Sequence, residues 1–434
     1  MTAPGLSLSP RVSQHTYRAG AIRLFLQLVL EAACSLRGAS AVIGLLGDFC
    51  PEFTRRPAAS TGQTWLLQVG LYELTRPKEA ADDWVWIVDH SVQLGTLKCL
   101  VIVGCRLSAW RAADRALTLQ DLSVIALEPV EKSTGVLVAR QLEAATAQTG
   151  IVPRAIVSDQ GSDLKIGIST YQATHEETAG THDIAHQTAN QMKRELAADD
   201  RWSKFIIAAG QTKQRLAMTP LAHLVPPTLR SKARYMNLEE LILWGTNTLR
   251  YLDDPRPVAG RELDRAALHA KLGWLHEYRV ALAQWQAAMT VVSSTLVYVR
   301  RAGYHQRAAD ELGGCLLPAA SEMGQRVALR LLEFVALQST AARPAERLIG
   351  SSECLESLIG NGKRLEGQQS RSGFTKMILG LAASVVTPTC EYLTAALTAT
   401  KTHDVLDWCH AHLGTSLATQ RRQAYALQSG IKPA

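Results

Sequence analysis

The sequence predicts a mixed α/β protein: a sheet that begins as a meander and continues through helix-linked strands, preceded by helices and interrupted by a long helical segment. Three observations predict it. Between residues 84 and 129, three β-branched and nearly continuous apolar runs follow one another across short polar breaks, as buried strands do. From 133 to 196, helical and strand patterns alternate. From 203 to about 342, strand signals nearly vanish while helical spacing persists. With 434 residues and 47% hydrophobic content the chain can fill two or three packed cores, which excludes disorder as its dominant state.

The elements follow in order. Over residues 20–36, Ile22, Leu24, Phe25, Leu28, Val29, Ala32 and Ala33 recur at helical spacing, and Gly38 is expected to break the run. A short helix fits 39–46. After Gly47, Pro51 and Pro57, Ser60 or Thr61 caps a third helix with Trp65, Leu66, Val69 and Tyr72 on its apolar side. Three helices in this order outline a helix-turn-helix DNA reader, with Thr61, Gln63 and Thr64 toward base edges and Arg55 and Arg56 on phosphates. A helical bundle without a DNA role is the alternative.

Strands are expected at 84–91, 96–107 and 122–129, then a helix at 133–148, a strand at 154–159, a helix at 162–172, a short strand at 180–184 and a helix at 185–196. A meander of three strands extended by parallel, helix-linked strands is the arrangement of a ribonuclease H-like fold. Within the helical segment, 238–251, 267–293 and 322–337 are the clearest helices, and a last helical stretch begins at 351. The expected domains are a helical DNA-binding head (1–80), the first part of the ribonuclease H-like core (81–202), an all-helical insertion (203–342), and the last core helix with C-terminal helices (343–434).

Several classes are set aside. The apolar stretch at 22–36 carries Arg23 and Glu31, and 377–388 spans about a dozen residues where roughly 18 to 20 cross a bilayer, so no membrane segment is expected. The first residues lack the layout of a signal peptide. Eight cysteines without CxxC spacing read as reduced thiols of a cytosolic protein. Lys and Arg outnumber Asp and Glu by 46 to 39, a balance that suits a polyanionic partner.

Two carboxylates stand where chemistry would be. Asp89 closes the first apolar run in WIVDHS, and Asp159 closes the fourth in IVSDQGSD. A carboxylate there is costly unless it is paired, metal-bound or near solvent. Each alone reads as a turn or helix cap. With the first and fourth strands side by side, however, the two acids meet at one end of the sheet, and oxygen donors of this kind suit Mg²⁺ or Mn²⁺. The segment SSECLESLIGNGKRLEGQ offers a third acid: Glu353 and Glu356 occupy neighbouring positions of one helix face, with Leu355, Leu358 and Ile359 toward the core. Two ions about 4 Å apart activate a water or 3′-hydroxyl and stabilise the leaving oxygen during in-line displacement at phosphorus.

These residues resemble those of DDE-type transposases with a ribonuclease H-like core, in particular bacterial insertion-sequence enzymes with the hAT-like arrangement of an all-helical domain inserted before the last acid. The resemblance spans most of the chain. It implies Asp89 in VDH, Asp159 in SDQGSD and Glu356 in SSECLESLIGNGKR as the catalytic and metal-holding acids, with Glu353 as the alternate. It implies two Mg²⁺ ions, replaceable by Mn²⁺, and cleavage and strand transfer of double-stranded DNA at transposon ends and target. It also implies a homodimer or higher oligomer in the bacterial cytoplasm, at the nucleoid. THDIAHQTANQMK is similar to the Cys-x-x-His helix start of hAT enzymes, with Asp183 in place of the cysteine and His186 matching the histidine; Arg201 and Trp202 are similar to their Arg-Trp pair. Trp202 or Trp244 is either a base-stacking residue or a core tryptophan.

Lys363, Arg364, Arg371 and Lys376 follow Glu356 closely and are expected to meet DNA phosphates, as are Arg230, Lys232 and Arg234 in the helical segment; a solvated face is the alternative. His182, Asp183 and His186 lack a fourth ligand and any HExxH motif for zinc. Gly362-Lys363 lacks the remaining residues of a phosphate loop, and no GxSxG elbow is present. Two rivals to a transposase remain: a ribonuclease H-like nuclease or resolvase, and a domesticated transposase that only binds DNA.

Overall fold

The structure is a computed structural model of the 434-residue chain and describes residues 8–53, 55–92, 98–159, 161–228, 238–256, 264–368, 375–415 and 417–429. It divides into two compact units, Met1–Gly180 with Ser352–Ala434, and Thr181–Ser351.

The first unit opens with α1 (Ala19–Leu30), α2 (Leu36–Leu46) and α3 (Ala59–Thr75). The sheet region follows as β1 (Trp84–Val92), β2 (Lys98–Arg106), α4 (Leu107–Ala113), β3 (Ser123–Val130), α5 (Gly135–Thr149), β4 (Ala155–Ser158), α6 (Ser162–Gln172) and β5 (Ala179–His182). The strand order is β3-β2-β1-β4-β5. β2 pairs antiparallel with both β1 and β3, and β1 pairs parallel with β4, so the sheet is mixed, with β1 at its centre. This bears out the expected mixed α/β class.

The strands read as unbroken apolar runs because both faces are covered. On one face Trp86, Val88, Leu100 and Ile102 join Val138 and Leu142 of α5 and Ile168 and Tyr171 of α6 in a single core. The two helices approach closely at glycines: a Cβ on Gly167 would stand 2.5 Å from that of Val138, and one on Gly135 2.4 Å from Ile166 Cγ2. No side chain fits at either point without moving a helix.

The second unit is helical: α7 (Ile184–Ala197), α8 (Asp200–Leu216), α9 (Leu238–Asp253), α10 (Arg265–Leu272), α11 (Arg279–Ala302), α12 (Ala308–Leu316) and α13 (Glu322–Ser339). α11 is its axis and packs against α7, α9, α12 and α13. The stretch Arg265–Ala302 is long and apolar enough to cross a membrane by length and composition, and half of its most apolar window is buried inside the unit. Trp285, Ala288, Val292, Thr295 and Val299 form that buried side, so α11 serves as a core helix. Asp183, Asp199, Asp264 and Ser321 cap α7, α8, α10 and α13 through side-chain oxygens. Buried Glu195 of α7 takes Arg326 Nη2 at 2.8 Å and Arg330 Nη1 at 2.5 Å from α13, which compensates its charge.

The chain then returns to the first unit as α14 (Glu353–Glu366), α15 (Leu379–Ala383), α16 (Cys390–Ala399), α17 (Thr402–His412) and α18 (Leu417–Ser429). α15 and α16 pack on α3, which is buried almost continuously from Trp65 to Leu74. Gly70 is required there, since a Cβ would stand 1.9 Å from the Leu379 carbonyl oxygen. Gln68 Nε2 donates to the Thr400 carbonyl at 2.8 Å. Glu73, 2% exposed, accepts from Arg76 Nε at 2.5 Å and Tyr392 Oη at 2.8 Å, and Lys78 Nζ lies 3.4 Å away.

Four expectations change. The first helix stops at Leu30, Ala33 takes a φ of 55°, and Ser35 caps α2 through Gly38 N at 2.9 Å, so Gly38 lies inside a helical first turn instead of breaking one. α3 starts at Ala59 after Ala58, without a side-chain cap from Ser60 or Thr61. The expected helix 267–293 is split by a 3-10 turn, Gly273–Tyr278. The helical unit spans Thr181–Ser351 where 203–342 was expected, because α7 packs on α11 and α13; the first 80 residues share a unit with the sheet, because α3 packs on β3, α15 and α16.

Burial lowers the Lys78 ammonium to about 8 against the opposing pull of Glu73. Between that value and the ordinary 10.5 the unfolded chain holds a proton that the folded chain has released, so this residue makes stability rise with pH across the window. Relative to Lys78→Met, urea unfolding of the wild type should therefore gain on the order of 3 kcal/mol between about pH 8 and pH 10.5. A pH-independent difference would contradict the assignment.

Candidate active site

The site begins with the parallel pairing of β1 and β4. The register runs Val85↔Ala155, Trp86↔Ile156, Ile87↔Val157, Val88↔Ser158. Asp89 and Asp159 each stand one residue past the last of these pairs, on strands that lie about 4.8 Å apart. Asp89 stays in β1, opposite Val101 of β2, and its Oδ1 takes the His90 backbone N–H at 2.6 Å. Asp159 leaves the ladder, and its Oδ1 accepts from Gly161 N at 2.8 Å, closing an Asx turn that leads into α6. The structure thus brings these two acids to one end of two central strands.

The third expected acid lies on α14, which packs on β1 on the face opposite α5 and α6. This helix also touches the 3-10 turn Leu119–Asp121 that leads into β3, and its last two turns reach the end of β1. Ile359, Gly362, Lys363 and Glu366 line a small cavity with Ser91 and Val101. Glu353 and Glu356 belong to the first turn of α14. Glu366 lines that cavity with Val101, the residue opposite Asp89 in the β1–β2 ladder. Sequence reasoning passed over it, although it stands in the same quoted segment ten residues after Glu356.

Among the described residues no group of three or more His, Cys, Asp and Glu side chains is arranged to hold a metal ion. The two aspartates nonetheless fit a hard divalent cation by donor chemistry, since Mg²⁺ commonly takes one or two carboxylates and completes its shell with waters and substrate phosphates. Two-ion occupancy held by Asp89, Asp159 and Glu356 together has no such grouping behind it in the described residues.

The other expected residues are placed as follows. Gln63 is half-buried and donates to Met377 Sδ at 3.1 Å, and Thr64 donates to the Ser60 carbonyl. α3 is therefore a packed helix and not a presented recognition helix. Arg55 and Arg56 are exposed; Arg55 lies over the Tyr17 ring and Arg56 Nε donates to Ser40 Oγ. Arg364 Nη2 donates to the Val29 carbonyl at 3.1 Å, near the end of α1, so one arm of its guanidinium is tied to a helix terminus. Lys363 and Lys376 are exposed. Arg230, Lys232, Arg234 and Arg371 lie outside the described residues.

In the helical unit, Asp183 accepts from Ala185 N and His186 N as the cap of α7, which explains an aspartate where a cysteine was expected by resemblance. Arg201 forms a bidentate pair with Asp199 at 2.8 Å through both Nε and Nη2, and Nη2 also reaches Gln284. Asp199 further accepts from Trp285 Nε1. Trp202 is 7% exposed, stacked on Phe205 at 5.8 Å and edge-on to Trp285 at 5.0 Å. Trp244 joins the same aromatic cluster and donates to the Leu224 carbonyl. Trp202 is a core residue, which removes it from base stacking, while Trp244 is half-buried at the edge of the cluster.

The fold and the site together define the class: a mixed α/β protein with two aspartates at the ends of its central parallel strands. No protein-family profile matches the chain, and no curated protein matches it in sequence.

The aromatic cluster yields a direct test. Trp202→Ala should destabilise the helical unit by about 3 to 5 kcal/mol in denaturant unfolding followed by tryptophan fluorescence. A loss under 1 kcal/mol would contradict a core role.

Proposed function

We propose that this chain is a DNA transposase that cuts and joins strands with the help of divalent metal ions, its mixed sheet being a ribonuclease H-like core. One observation carries the reading: Asp89 and Asp159 stand side by side at the ends of β1 and β4, in the middle of a sheet ordered β3-β2-β1-β4-β5. The helical unit supports it by its position in the chain, after β5 and before the acid-bearing α14.

In this reading Asp89 and Asp159 would hold Mg²⁺ or Mn²⁺, which when bound would supply the Lewis acidity for activating a water or a 3′-hydroxyl and for stabilising the leaving oxygen. The protein's own part is positional. The buried strands fix both carboxylates before DNA arrives, so no reorganisation is needed at the moment of reaction. A new O–P bond forms, the P–O3′ bond breaks, the proton of the nucleophile passes to solvent, and the departing 3′ oxygen takes up a proton from solvent. Exposed Lys363, at the cavity lined by Ser91 and Val101, and exposed Lys376 are suited to backbone phosphates. The net charge of +7 favours a polyanionic partner throughout. DNA-end pairing calls for a dimer or larger assembly.

The full chain, given Mg²⁺ and duplex DNA from the two flanks of its own reading frame, should nick that DNA and join the ends to a target plasmid. Asp159→Asn should lower cleavage by about a thousandfold while leaving gel-shift binding within a few-fold of wild type. Undiminished cleavage by this variant would contradict the reading, and cleavage without joined products would favour a nuclease or resolvase. Glu356→Gln and Glu366→Gln in the same assay separate the acid implied by resemblance from the one at that cavity.

A further inference from the structure

β4 is only four residues long, so pairing ends before Asp159, and something other than the ladder must hold the β4–α6 turn that carries it. Asp163, in the first turn of α6, reaches back to the two neighbouring strands. Its Oδ2 accepts from Lys98 Nζ of β2 at 3.3 Å and stands 3.9 Å from His90 Nδ1 of β1. His90 directly follows Asp89, and its side chain is 7% exposed. Its Nε2 is buried and has no hydrogen-bond partner among the described residues, and its Nδ1 faces Asp163. Gly161 completes the arrangement: a Cβ there would stand 2.9 Å from Asp159 Oδ1 and 3.3 Å from Asp163 Oδ1, so both carboxylates lie against the same glycine.

We propose that Asp163 is a positioning residue of the two-aspartate site: through Lys98 and His90 it fixes the turn that carries Asp159 against the strand that carries Asp89. This rests on the metal-binding reading above. An acid in the first turn of a helix also interacts with the helix dipole, but a dipole contact gives no reason to span β4, β1 and β2. Residues that orient metal-binding side chains typically matter about ten- to a hundredfold for affinity.

The test is Mn²⁺ binding to the full-length protein, followed by the electron paramagnetic resonance of free Mn²⁺, with thermal unfolding in parallel. Asp163→Asn should weaken binding about tenfold. Lys98→Met, at a side chain 35% exposed and so safe for folding, should weaken it about threefold. The pair discriminates because loss of a nearby positive charge would by itself tighten cation binding, whereas loss of a negative charge would weaken it. Asp163→Glu keeps the charge, displaces the carboxylate, and should also bind more weakly than wild type. Wild-type affinity in these variants, or tighter binding by Lys98→Met, overturns the positioning role. Failure of the wild type to bind Mn²⁺, or undiminished binding by Asp159→Asn, overturns the metal-binding reading itself. Mn²⁺ held through Asp159 but indifferent to Asp163 and Lys98 overturns only this inference.

Discussion

The parallel pairing of β1 with β4 is the constraint on which the site depends. Four residue pairs, all buried, hold the strands in one register, and that register alone decides that residues 89 and 159 become neighbours. A slip by one position would turn Asp89 toward α5 and α6 and bury its carboxylate among Val138, Leu142 and Ile168, at a cost of several kcal/mol. The apolar runs on either side of each aspartate therefore act as register markers as well as core. β1 sits between an antiparallel and a parallel neighbour, which leaves its far end as the place where a polar side chain meets both strand ends and solvent.

The helices are held to this sheet by close approach and by compensated charge. Gly135 and Gly167 let α5 and α6 touch, and Gly70 lets α3 meet α15. Buried acids are each answered by more than one donor: Glu73 by Arg76, Lys78 and Tyr392, and Glu195 by Arg326 and Arg330. Removing one partner leaves a charge uncompensated, so such clusters pin helices in place more than they add net stability. Arg364 on the Val29 carbonyl and Arg201 on Asp199 belong to the same pattern, and of these Arg364 is a cation expected at DNA that is already engaged.

Much of the sheet was legible in the sequence. Runs such as TLKCLVIVGCRL have one reading because β-branched residues without helical spacing, bounded by polar breaks, favour a strand covered on both faces. The pairing of Asp89 and Asp159 followed from the element order. Legibility failed where burial is symmetric. α3 is buried nearly all round, so its sequence carries no stripe to distinguish a core helix from a presented one, and Gln63 and Thr64 read equally as base contacts. It failed again for α14, because residue spacing gives the face of a helix but not its direction across a sheet. The structure sets Glu366 in a cavity with Val101, the residue opposite Asp89. Trp202 was open for a related reason: only the packing of Phe205 and Trp285 around it decides that it is core.

Under the proposed function, the β1–β4 register builds a divalent-cation site from two aspartates. The most direct measurement is the anomalous scattering of Mn²⁺ in crystals of the protein. The account predicts an ion in bonding contact with carboxylate oxygens of both Asp89 and Asp159. An ion held elsewhere, or bound to neither aspartate at saturating Mn²⁺, would contradict it.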